Sequence, residues 1–72
     1  MKENIEIAKS LFSQNKYTET IETCSKILII DNNSIEALKL ISKSFLALNK
    51  LDNALLYLNK ALNIKPKNYE LI

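Results

Sequence analysis

The residues able to do chemistry are few. Among 72 residues there is one cysteine, Cys24, and no His. All the charge comes from ten Lys and eight acids, because Arg is absent as well. A catalytic thiol needs a base or a cation to draw off its proton, and its usual partner, His, is missing. Cys24 shares a helical stripe with Ile21 and Leu28, which reads as a buried structural thiol. Two carboxylate pairs, Glu3/Glu6 and Glu19/Glu22, stand three residues apart. General acid–base work needs such a pair in a cleft. On an amphipathic helix the same spacing is a solvated face. With no Gly, a Gly-rich phosphate loop cannot be built. No catalytic, cofactor or metal site is therefore expected, and the chain reads as a non-enzyme.

What remains is surface chemistry, and it points to binding. The net charge of +2 is too small to imply nucleic acid, which calls for a clustered basic face. Tyr17, Tyr57 and Tyr69 are scattered among lysines and form no base-stacking platform. Weak RNA binding is only a distant third reading. A single Cys allows no internal disulfide, unlike most small secreted domains. The apolar runs 27–30 and 45–48 are four residues long, far short of the ~20 of a membrane span. No signal-like run follows Met1, and the expected address is cytoplasmic.

The elements that would position a binding surface are helical. Gly is absent and Pro occurs once, at Pro66. Ile7, Ala8 and Leu11 share a helical face, and Leu38, Ile41, Ser42 and Phe45 repeat the spacing. Ile21, Cys24, Ile27 and Leu28 form a second stripe, with Ala54, Leu55, Leu58, Ala61 and Leu62 as its counterpart. The pattern predicts helices over 2–14, 18–30, 35–48 and 52–63. Asn15 and Asn49 stand just past two helix ends, where Asn tolerates the left-handed conformation. Asn33 with Glu36 suggests a capping box for the third helix. Lys65-Pro66 should end the fourth, and 69–72 reads as a partial fifth.

The two halves are related. At a shift of 34 residues, nine of 38 overlapping positions are identical, among them Lys9/Lys43, Asn15/Asn49, Lys16/Lys50, Lys26/Lys60 and Leu28/Leu62. Residue class agrees at further positions: Ala8/Ser42, Leu11/Phe45 and Ile21/Leu55. The second unit reads Leu38-x2-Ile41-Ser42-x2-Phe45, then Ala54-x3-Leu58, Ala61-Leu62 and Pro66. This resembles the tetratricopeptide repeat over its whole length. The first unit matches less well, with Asn4, Thr20, Cys24, Ile27 and Asn32 off the pattern. The expected architecture is all-α: a short α-solenoid of two stacked antiparallel helix hairpins in one domain spanning 1–72. Repeat 1 would cover 1–34, repeat 2 would cover 35–68, and a third would begin at 69–72. Ala8, Ser42, Thr20, Ala54 and Ala61 should mark close helix approaches, with Leu11, Phe45, Leu58 and Leu62 filling the gaps.

The resemblance implies a non-enzymatic protein-binding module. In similar proteins the first helix of each pair lines a concave groove for a peptide or helix. Carried onto this chain, the groove holds Lys2, Ile5, Lys9, Phe12 and Ser13, then Glu36, Lys39, Leu40, Lys43, Leu46 and Ala47. An acidic peptide with apolar anchors would suit it. Equally, the lysines could be merely solvated and the apolar residues locally packed. Relatives that clamp the carboxylate terminus of heat-shock chaperones use Lys and Asn where Ile5, Lys9 and Leu40 stand here, so no such clamp is expected. The alternative is a self-associating structural module. Two repeats seldom supply enough core, and Leu40, Leu56, Tyr57, Leu71 and Ile72 could bury against a second copy. A fragment of a longer array would show the same bare end.

Overall fold

A computed structural model describes residues 2–64, which form α1 (Lys2–Ser13), α2 (Tyr17–Ile30), α3 (Ile35–Ala47) and α4 (Leu51–Ile64), with no strand among them. Each boundary falls within one residue of its expected place, except that the Pro66 stop and the partial fifth helix at 69–72 lie outside the described residues. The turns show why the boundaries were predictable. Asn15 (φ 65°) and Asn49 (φ 64°) both adopt the left-handed conformation. In the first turn the Asn15 amide donates to the Phe12 carbonyl and the Lys16 amide to the Leu11 carbonyl, both at 2.9 Å. In the second, Asn49 donates to Leu46 at 3.0 Å and Lys50 to Phe45 at 2.8 Å. These paired 5→2 and 6→1 bonds are Schellman caps, and they recur 34 residues apart.

The start of α3 differs from expectation. Its cap is Ser34, whose hydroxyl accepts from the Ala37 amide at 3.3 Å, rather than Asn33. The Asn33 amide is instead held by the Asp31 carboxylate at 3.1 Å, in an Asx turn that places Ser34 one step further on.

The helices pack as α1 on α2, α2 on α3 and α3 on α4, with α1 also touching α3. That is two antiparallel hairpins stacked in register, with α1 and α3 adjacent on one side. The core contains Ile5, Ala8, Cys24, Ile27, Ala37, Leu40 and Ile41, flanked by Phe12, Ile21, Leu28, Phe45 and Tyr57. The small residues expected at close approaches, Ala8, Thr20, Ser42, Ala54 and Ala61, are all buried. The buried hydroxyls of Thr20, Ser42 and Ser44 donate to the carbonyls of Lys16, Leu38 and Leu40, four residues back. Each therefore enters the core without an orphaned polar group. Cys24 is fully buried, and burial pushes its thiol pKa up to about 11. A thiol that holds its proton so tightly is a packing group at neutral pH.

The expected gap-fillers divide. Leu11 and Phe45 are half-buried. Leu58 and Leu62 are exposed at 41% and 42%, and Leu55 at 56%. The correction has a simple cause: α3 covers the corresponding face of α2, whereas no described helix lies beyond α4.

Candidate protein-interaction face

The expected groove residues are carried by α1 and α3, two helices that touch. Lys9 on α1 and Glu36 on α3 join across it, Nζ to Oε1 at 3.5 Å. Both side chains are more than half exposed, so the pair contributes only ~0–1 kcal/mol. Lys39 and Lys43 stand one turn apart on exposed positions of α3, with Leu46, half exposed, a further turn along. Among the described residues neither Lys39 nor Lys43 has a carboxylate within ion-pair distance. Phe12 is half-buried, its ring edge-on to Tyr17 with centroids 5.5 Å apart. The Tyr17 hydroxyl donates to Asn15 Oδ1 at 2.8 Å, which ties this aromatic pair to the turn. Ser13 and Ala47 are exposed beside it.

Two of the expected groove anchors are not at the surface. Ile5 and Leu40 are each only 8% exposed and belong to the core cluster. Both are taken up by the core cluster, which draws on α1, α2 and α3. Leu40 is therefore also withdrawn from the expected self-association surface. Of the other residues expected there, Leu56 is 54% exposed on α4. Tyr57 is half-buried, stacked on Phe45 with centroids 5.7 Å apart, and Lys60 Nζ lies 5.1 Å from its ring centre. Leu71 and Ile72 lie outside the described residues, as does the side chain of Lys2.

Sequence reasoning missed a depression of about 200 Å³ lined by Ser25, Leu28, Ile29, Asn32, Leu38, Tyr57 and Lys60. It opens where α2 and α4 fail to touch, although α1 and α3 do. A hint was available in Ile29 and Ile30, which break the α2 stripe and are 83% and 65% exposed. No helix of the described residues is long and apolar enough to cross a membrane.

Stacked helix hairpins on a 34-residue period, with small residues at the crossings, define a tetratricopeptide-type helical repeat. Residues 2–61 match the family described as anaphase-promoting complex, cyclosome, subunit 3, and the chain belongs to that family of helical repeats. Among curated proteins no significant match is found.

Proposed function

We propose that this chain is a non-catalytic module that holds a peptide or helix of another protein against the α1–α3 face. The observation that carries the reading is the pair Lys39 and Lys43. They are exposed one turn apart beside Leu46 and, unlike Lys9, are not engaged by a described carboxylate. Two unengaged cations next to an apolar anchor select a segment with acidic residues and a large apolar side chain. Charge steers the encounter and the apolar contact holds it. The family takes its description from a subunit of the anaphase-promoting complex, or cyclosome. A subunit of a complex works through contacts with other proteins, which supports a binding role.

The test is a titration with a labelled helical peptide of Glu and Leu. Lys39→Glu with Lys43→Glu should weaken binding at least ~10-fold, or ~1.4 kcal/mol. Unchanged affinity would remove the groove reading. If single-stranded RNA binds instead and is lost steeply with added salt, the RNA reading takes its place.

A further inference from the structure

We propose that a second copy of this chain docks antiparallel on α4 through a leucine seam made by Leu51, Leu55, Leu58 and Leu62. The four follow a 4-3-4 spacing, the two-heptad pattern of a coiled-coil seam. On a helix they fall within one narrow stripe. All four are exposed, from 41% at Leu58 to 59% at Leu51. The buried alanines of α4, Ala54 and Ala61, sit to one side of the stripe and hold the helix against α3. Leu56 lies well off it.

The repeat itself indicates what can cover this stripe. In the first unit the same positions are Tyr17, Ile21, Cys24 and Leu28, each half-buried or buried, and the last three pack in the cluster that contains Ala37, Leu40 and Ile41 of α3. There the fully buried Cys24 shares a cluster with the equally buried Ile41 of α3. Leu58 stands in α4 where α2 has Cys24, which makes the stripe of α4 leucine at every step. Head-to-tail stacking would bring another α1 onto this stripe. Glu3, Asn4 and Glu6 stand where α3 presents Ala37, Leu38 and Leu40, so head-to-tail stacking would press charge onto leucines.

A two-fold pairing avoids that problem. Leu55 faces Leu58 of the other copy and Leu51 faces Leu62, knob against hole. Asp52 on the flank comes near Asn59 of the other copy, an acceptor meeting an amide donor with no like charges opposed. The contact is self-complementary and closes at two copies.

Sedimentation of the full chain across a concentration series tests it. The patch is small, so association belongs at the weak end, with dimer gained between about 10 µM and 1 mM. The mass should rise from 8.2 kDa towards twice that value and stop there. Leu58→Asp should remain at 8.2 kDa throughout, with an unchanged helical spectrum because the side chain is exposed in the single copy. Leu56→Asp should dimerise like the parent. Three results overturn the proposal. One is a parent that stays at 8.2 kDa, as it would if residues 65–72 or another protein's helix took the seam. Another is a ladder of species beyond the dimer. The third is loss of dimer in Leu56→Asp as complete as in Leu58→Asp.

Discussion

The second helix and the fourth are the same element at two places in the repeat, yet their environments differ. Thr20 and Ala54 are both buried, as are Ile27 and Ala61. Cys24 and Leu58 part company: the first is wholly buried, the second 41% exposed. What separates them is the neighbour. α2 lies between two helices of the stack, whereas α4 has a described neighbour on one side alone. Burial in a stacked repeat is thus a property of position in the pile as much as of residue type. An apolar stripe that is core in one unit becomes a candidate interface in the next.

The comparison breaks hardest at Ile41. It is fully buried, and truncation to Ala removes buried apolar volume from the α2–α3 contact at ~2–5 kcal/mol. A domain of this size holds only ~3–5 kcal/mol in reserve, so Ile41→Ala should leave much of the chain unfolded in a urea titration. Ile7 is its mate one repeat earlier and is 51% exposed. Ile7→Ala should cost no more than ~0.5 kcal/mol. Equal losses would mean that the two hairpins are not stacked as described.

A second difference is written in pH. The folded chain holds the Cys24 proton up to about 11, from an ordinary value of 9.0. Between these values the unfolded chain gives up its proton first. The stabilisation is complete below pH 9 and falls away as pH rises towards 11, by an amount on the order of 2 kcal/mol. The alkaline loss should shrink in Cys24→Ala when thermal unfolding is followed from pH 8 to 11. A profile identical in both proteins would argue that the thiol is not desolvated.

The halves should agree where their backbones agree. Asn15→Ala and Asn49→Ala both place a Cβ in the left-handed region without the amide that eases it, at ~1 kcal/mol each. A large cost at one turn and none at the other would show that the Schellman caps are not equivalent.

The fold was legible because its punctuation is local. Asn15 and Asn49 mark two helix ends by their own conformational tolerance, and the 34-residue period pairs the elements before any contact is known. The capping residue of α3 was misplaced because Asn33 and Ser34 both suit the role. The choice fell to the Asp31 side chain, which captured the Asn33 amide. The candidate face was legible only in part. Lys9, Lys39, Lys43 and Leu46 stand at the surface as their helical positions imply. Ile5 and Leu40 share that face in projection, but both are buried in the core cluster, and burial by neighbouring helices is invisible in a one-helix pattern. For the same reason Leu55, Leu58 and Leu62 looked like core. Their spacing matches α2, but what covers a stripe is decided by the next element.

The central claim is that equivalent positions 24 and 58 face opposite environments, and thiol labelling at sub-micromolar protein reads it directly. The account predicts that Cys24 in the parent reacts at least ~100-fold more slowly than in denaturant, as an opening cost of ~3 kcal/mol requires. A cysteine placed by Leu58→Cys in a Cys24→Ala background should react within a few-fold of its denatured rate. Comparable protection at the two sites, or a Cys24 that labels freely in the folded chain, would contradict it.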